Sequence, residues 1–395
     1  MVPKGLRTVA IVCATVGIVT LLGVVYVACK LSRRRALTLA PATASESNAP
    51  IGPTSSYWLR GKKKSREPLA TSLATFDRAV LRVTTRVILK ATGNLRDAHV
   101  IGRGGFGTVY RATLPDRRRV AVKRLHGGSY EFLCDRRFVA EMETIAEVEH
   151  QNLVPLLGYC APRGNERFLI YKLMHHGSLE SWLRNNQADP TRAIGWPDRL
   201  RICLGSARGL RFLHHGFVSH LTHGDMKSSN ILLDEEMEPR VSDFGIARII
   251  SGYETHVRTS VSGELGYVPP EYSLAMKCTA KGDVYGFGVV LLEVLTGRPP
   301  AGPEVGEGGG GDLVGWVRRV IAHGREGEVF DPRLPSSGLW REQMVRVLAV
   351  ARECTADEPW KRPTMGSVVE GLETIQMMKD DEPDGDGLQG LEVQA

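Results

Sequence analysis

Two neighbouring features carry the residue types that phosphate chemistry needs. Gly102-Arg103-Gly104-Gly105-Phe106-Gly107 follows the pattern G-x-G-x-x-G. Glycines at that spacing let a backbone lie close over phosphates with its N–H groups free to donate. Lys123 ends the apolar run Val120-Ala121-Val122, and a lysine held there behind a glycine turn can reach the same phosphates. Lys123 also needs an acidic partner. Between Arg136 and Val148, Phe138, Met142 and Ile145 fall at i, i+4 and i+7 and define the buried stripe of a helix. Glu141 sits at the edge of that stripe and Glu143 points away, so Glu141 is the candidate partner.

The elements around the glycines decide which kind of phosphate loop this is. A dinucleotide-binding loop would run from a strand into a helix. Here Thr108-Val109-Tyr110-Arg111-Ala112-Thr113 alternates and is rich in strand formers, and a turn at Leu114-Pro115-Asp116 follows. That context predicts a β-hairpin with the glycines at its tip, and then a second strand ending at Lys123.

Further along, His223-Gly224-Asp225-Met226-Lys227-Ser228-Ser229-Asn230 resembles the catalytic loop of the protein kinases, and Asp243-Phe244-Gly245 resembles the metal-binding triplet that follows it. Pro269-Pro270-Glu271 stands where that family has A-P-E, and Arg362 stands where the ion-pair partner of that glutamate lies. The resemblance runs from about residue 95 to 377 with its parts in order. It implies that Asn230 and Asp243 offer hard oxygens to Mg²⁺ or Mn²⁺. It further implies that Asp225 takes or orients the proton of a substrate hydroxyl, while Lys227 offsets charge on the transferred phosphoryl group. By the same resemblance Lys123 and Glu141 form the lysine–glutamate pair of the phosphate site. Gly102, Gly104 and Gly107 cover the phosphates of ATP, and Ile101, Val109, Ala121 and Leu232 sandwich the adenine. Tyr171 guards the back of the pocket, and Leu173-Met174 provide hinge contacts. Asp283 resembles the aspartate that braces the catalytic loop from beneath.

Asn152-Leu153-Val154-Pro155-Leu156-Leu157-Gly158, His176-Gly177-Ser178-Leu179 and Gly266-Tyr267-Val268-Pro269-Pro270-Glu271-Tyr272 are similar to plant leucine-rich-repeat receptor-like Ser/Thr kinases, with a Pelle-type kinase domain. Usual members carry a repeat ectodomain before the membrane span, and none is expected in this chain. Three positions depart from the pattern. Gly224 replaces an arginine that grips a phosphorylated activation loop, so phosphates at Thr259, Ser260 or Ser262 should matter less. Lys172 replaces a hinge acid, with little expected consequence. Glu264 stands where the family has a threonine bridging the catalytic Asp and Lys. A carboxylate there would compete for Lys227, unless it turns into solvent.

Composition separates a basic leader from a near-neutral body. The net charge of +7 is an average: residues 1–67 hold 11 Lys and Arg against two acids, which leaves 40 basic and 42 acidic residues in 68–395. A folded domain that is near neutral argues against nucleic acid as a partner. The seven cysteines are scattered with no C-x-x-C pair, which fits free thiols in a reducing compartment. Val9 to Cys29 is a run of 21 uncharged residues, about 31 Å as a helix and long enough to cross a bilayer core of about 30 Å. Lys30, Arg33, Arg34 and Arg35 follow and favour a cytosolic C-terminal side. A cleaved signal peptide is the competing reading, but its apolar region would be shorter and would not end in a basic stop. Pro, Ala, Ser and Thr dominate residues 36–75, and Lys62-Lys63-Lys64-Ser65-Arg66 within them is suited to anionic lipid or simply to water. Asp283 to Leu295 is apolar nearly all round, too short to span, and reads as a buried central helix.

The expectation is an α+β chain with a two-lobed protein kinase fold: a small β-rich lobe with one key helix, and a larger helical lobe, preceded by one transmembrane helix. The expected organisation is an extracellular stub at 1–8, the span at 9–29, a basic juxtamembrane linker at 30–94, the kinase domain at 95–377 and an acidic disordered tail at 378–395. Expected partners are protein substrates, the membrane and a co-receptor kinase, with the kinase domain on the cytosolic side of the plasma membrane. A pseudokinase scaffold that binds nucleotide and docks on an active co-receptor is the rival.

Overall fold

Strand-forming residues that alternate in burial build the small lobe. A computed structural model of the chain describes residues 81–104, 107–125, 138, 142, 149–162, 166–184, 193–216, 221–243, 266–272, 278–302, 305, 311–335 and 337–378, all within the unit Arg66–Ala395. The strands β1 (Leu81–Arg82), β2 (Val100–Gly104), β3 (Gly107–Thr113), β4 (Arg119–Leu125), β5 (Leu156–Cys160) and β6 (Arg167–Lys172) form one sheet in the order β1-β5-β6-β4-β3-β2. β1 runs parallel to β5, and the other pairs are antiparallel. The glycine-rich segment is a hairpin as its context predicts, with Gly104 opposite Gly107. Val109 pairs with Lys123, and Ala121 with Tyr171, so these residues share one face of the sheet.

Val120 and Val122 point the other way and are fully buried. Helix α1 (Thr85–Ala91) covers that opposite face by packing Ile88, itself fully buried, against Ala112, Val120, Val122, Phe168 and Ile170. β1 and α1 fall inside the stretch 30–94 expected to be linker. Their order is a finding of the tertiary structure: Val83 and Ile88 offer too short an apolar pattern to stand out, yet the back of the sheet needs a cover. Phe138 and Met142 are helical and fully buried against Leu125, Tyr159 and Leu169, as the stripe predicts. Ile145 and Glu141 lie outside the described residues, as do the expected span, the acidic tail, Glu264 and the sites at Thr259, Ser260 and Ser262. Among the described residues no helix is long and apolar enough to cross a membrane.

The large lobe forms around one helix. β7 (Gly177–Ser178) leads into α2 (Leu179–Arg184) and α3 (Trp196–His215), and it pairs with β8 (Ile231–Leu233), itself paired with β9 (Pro239–Val241), in a small antiparallel sheet. α4 (Ala280–Thr296) follows, with α5 (Leu313–Ala322), α6 (Gly338–Cys354) and α7 (Met365–Gln376) around it. α4 starts where the Thr279 hydroxyl accepts from the Gly282 N–H at 3.0 Å and stops at Gly297, whose φ of +67° is left-handed. Every residue from Gly282 to Thr296 is buried, the burial expected of a helix that is apolar on all sides. A Cβ on Gly286 would stand 2.6 Å from the Met226 carbonyl oxygen, so the segment carrying Asp225 and Lys227 rests directly on the α4 backbone.

Candidate active site

The sheet face bearing Val109, Ala121 and Lys123 roofs a cleft of about 800 Å³ between the strands and the large lobe. Each expected nucleotide contact lines it: Ile101, Gly102, Gly104, Gly107, Val109, Ala121, Lys123, Tyr171, Met174 and Leu232. Asp225, Lys227, Asn230 and Asp243 line it too. Ile101 is 43% exposed, which places it at the rim. The hinge is the passage from β6 through Leu173 and Met174, both buried.

Lys123 is buried, and its Nζ lies 2.7 Å from Asp243 Oδ1. This contact joins the two lobes across 120 positions of chain. Its expected partner Glu141 lies outside the described residues. Asp243 adopts a left-handed φ of +59°, a conformation that costs a non-glycine residue about 1 kcal/mol or more and turns its carboxylate toward the lysine. Burial pushes the Asp243 carboxyl up, but the charge and hydrogen bond of Lys123, with His223 and Lys227 beyond, outweigh burial and hold it below the usual carboxylate range.

The loop from His223 to Asn230 hangs on two anchors. Asp283, 2% exposed on α4, accepts from the His223 N–H at 2.6 Å and the Gly224 N–H at 2.7 Å, and His214 of α3 lies 2.9 Å from the same carboxylate. His223 Nδ1 accepts from the Asp225 N–H at 3.1 Å, which leaves Nε2 to donate to the Ser242 carbonyl at 2.9 Å. The loop and the segment before Asp243 are thereby tied together. The Asp225 carboxylate meets Lys227 Nζ at 3.1 Å and Asn230 Nδ2 at 3.1 Å. Burial raises its pKa, and Lys227, His223 and Asn230 only partly oppose the rise. Asn230 also donates to the Asp225 carbonyl at 2.7 Å, which leaves its amide oxygen for a cation. With the second oxygen of Asp243, this donor set of hard oxygens fits Mg²⁺, which keeps several waters.

The expected Glu271–Arg362 pair is present and bidentate, at 2.7 and 2.8 Å. Glu293, within the run read from sequence as an apolar central helix, forms a network that the sequence did not reveal. Glu293 is fully buried, accepts from Tyr267 Oη at 2.5 Å and Ser228 Oγ at 3.1 Å, and pairs with Arg184 of α2. Burial lifts its carboxyl to about 7, against the pull of Arg184, Tyr267 and Ser228. Tyr267 belongs to the segment before Pro269, and Ser228 directly follows Lys227. One buried carboxylate therefore holds both sides of the place where a substrate hydroxyl would enter. An acidic residue in an otherwise apolar helix was the available signal.

A phosphate hairpin, a lysine facing an aspartate and a braced aspartate–lysine loop in one cleft form a constellation known from protein kinases, and residues 95–372 match the family of protein tyrosine and serine/threonine kinases. The chain belongs to that family. The kinase is similar to plant leucine-rich repeat receptor kinases. It is 64% identical over 362 residues to the leucine-rich repeat receptor protein kinase MSP1 of Oryza sativa subsp. japonica, covering 92% of this chain and 27% of that protein. It is 48% identical over 319 residues to the leucine-rich repeat receptor protein kinase EMS1 of Arabidopsis thaliana, covering 81% of this chain and 26% of that protein. The kinase thus spans about a quarter of the length of these curated relatives. Among solved structures it resembles the pseudokinase domain of BIR2, an immune regulator of the RLK/Pelle family, with a TM-score of 0.61 and 37% identity, covering 73% of this chain and 85% of that one.

Proposed function

We propose that this kinase transfers the γ-phosphate of ATP to Ser and Thr hydroxyls of proteins, as the cytosolic part of a receptor-type signalling protein at the plasma membrane. Residues 9–29 serve as the span, the kinase domain runs from 95 to 377 with β1 and α1 packed onto it from the stretch before, and a co-receptor kinase is the natural partner, by likeness to the receptor kinases above.

Bound ATP and Mg²⁺ supply the phosphoryl group and neutralise its charge. The chain does the rest by position. The β2–β3 hairpin closes over the phosphates, Lys123 holds them, and Asn230 and Asp243 hold the metal. Asp225 accepts the hydroxyl proton as the oxygen–phosphorus bond forms and the bond to the departing ADP breaks. A carboxyl whose pKa is raised by burial is the better base for that task. Lys227, beside Asp225, balances the transferred charge. What carries this reading is the convergence of Lys123, Asp225, Lys227, Asn230 and Asp243 on a single cleft beneath a glycine hairpin.

The test is label transfer from radioactive ATP by the full chain with Mg²⁺. Wild type should label Ser and Thr in a protein substrate, and Asp243→Asn should abolish the signal. The pseudokinase reading is kept by one observation, the likeness to the BIR2 pseudokinase domain. Nucleotide binding without transfer in wild type would favour it, and recovery of transfer by Glu264→Thr would assign the loss to that position.

A further inference from the structure

The sheet face that roofs the cleft carries two arginines with no part in the chemistry above. Arg111 of β3 stands opposite Ala121 of β4, and Arg119 stands two residues before Ala121, opposite Thr113. Residues directly opposite, or two apart on one strand, point to the same face, so both arginines share the face of Ala121. Both line the cleft together with Ala121 and Tyr171. As diagonal neighbours on adjacent strands they stand about 7–8 Å apart. Both are exposed, and neither makes an ion pair among the described residues. Asp97 and Asp116 are the only acids in residues 81–125, and Arg103 and Arg118 already hold them at 2.6 and 2.7 Å. Arg124 holds Glu166. Two like charges this close repel unless an anion joins them.

Nucleotide phosphates are not that anion. Arg119 lies four residues before Lys123 on β4, about 13 Å along the strand, with Ala121 of the adenine wall between them. The helical stretch with Phe138 and Met142 packs against Leu125, farther still from Arg119. The sequence after α7 has the right charge. Asp380, Asp381, Glu382, Asp384, Asp386 and Glu392 are opposed there by one cation, Lys379. The segment starts from a fixed point, because Met378 packs on the core of the large lobe and the Ile375 carbonyl accepts from Gln343 Nε2 at 2.9 Å. Its 17 residues reach about 55–60 Å when extended. That exceeds the breadth of a domain of this size, roughly 50 Å.

We propose that Arg111 and Arg119 form an anion site at the adenine end of the cleft, and that the acidic segment 379–395 of the same chain docks on it. Once docked, its carboxylates lie across the entrance beside Ala121 and repel the phosphates of an incoming nucleotide. The segment therefore competes with ATP, and the competition fades as salt rises. This consequence rests on the reading that the cleft takes ATP; the docking itself does not.

Two measurements on the full chain test it. In the first, Arg119→Lys keeps the charge and introduces an amine, and a carbodiimide joins that amine to any carboxylate in direct contact. Mass spectrometry should find position 119 linked to an acid of 379–395 within one chain, and high salt should suppress the link. No such link overturns the proposal, and a link found only between two chains overturns the assignment to the same chain. In the second, Asp380, Asp381, Glu382, Asp384 and Asp386 are replaced by their amides, and binding of a fluorescent ATP analogue is measured with Mg²⁺. Affinity should rise about two- to fivefold, the range of an exposed ion pair. The same replacements should change nothing in Arg111→Gln/Arg119→Gln, whose melting temperature confirms that it folds; if it melts lower, Arg119→Gln alone replaces it. An equal rise in both backgrounds means diffuse repulsion and overturns the site. If the chain binds no ATP analogue, the nucleotide reading fails, and the cross-link alone decides the docking.

Discussion

Replacing Glu293 with Gln should remove a specific dependence of stability on pH. Glu293 sits at zero exposure in the middle of α4, and burial lifts its carboxyl from the usual 4.5 to about 7. Between those two values the folded protein keeps a proton that the unfolded chain releases. Stability therefore falls as pH rises through this window, and it is level for this group below and above it. A shift of that size corresponds to about 3 kcal/mol, a large share of the roughly 5–15 kcal/mol that holds a domain together. Gln has the same shape and still meets Tyr267 and Ser228, but it cannot titrate. Urea unfolding of both proteins at pH 5 and pH 8 gives the comparison. Wild type should lose about 3 kcal/mol more than the variant between the two conditions. Other titrating groups, including the raised Asp225, are common to both and cancel. If the two stability curves run parallel across the window, Glu293 carries its charge throughout, and the argument from burial is wrong.

Glu271→Ala would leave the Arg362 guanidinium, whose side chain has zero exposure, without its carboxylate. Unfolding by urea should report a loss of about 3–5 kcal/mol, part of which Arg362→Leu in the same chain restores. A Cβ at Gly107 would lie 2.4 Å from the Arg124 carbonyl oxygen, so Gly107→Ala must push β3 away from β4. It should cost about 1–3 kcal/mol and weaken nucleotide binding measured by fluorescence. Asp225→Asn should lower turnover by about 10²–10⁴-fold with nucleotide affinity retained. Lys227→Ala removes a cation that holds the Asp225 pKa down against burial, so the acid limb of the rate profile should move to higher pH; an unmoved limb would separate that limb from Asp225.

Much of the site was legible because its signals are local. A glycine hairpin is announced by the strand-forming residues after it, and the burial of Phe138 and Met142 follows from a helical period. The Glu271–Arg362 pair was readable only through resemblance, since nothing local links positions so far apart. The sequence did not reveal that Lys123 touches Asp243, which requires the lobes to approach. It also did not mark β1 and α1, where Val83 and Ile88 gain their burial from a sheet face made elsewhere.

By itself, then, the sequence determined the order of the chemical parts, the hairpin, the apolar central helix and the separate basic leader, because periodicity and residue type act over a few positions. The tertiary structure alone decided the environment of each charge. Glu293 is pushed toward neutrality, Asp243 is held ionised by Lys123, and Arg111 and Arg119 stay without an ion pair among the described residues. Each outcome depends on which distant groups come within a few ångströms and on how much water they exclude, and neither quantity is written in the spacing of residues along the chain.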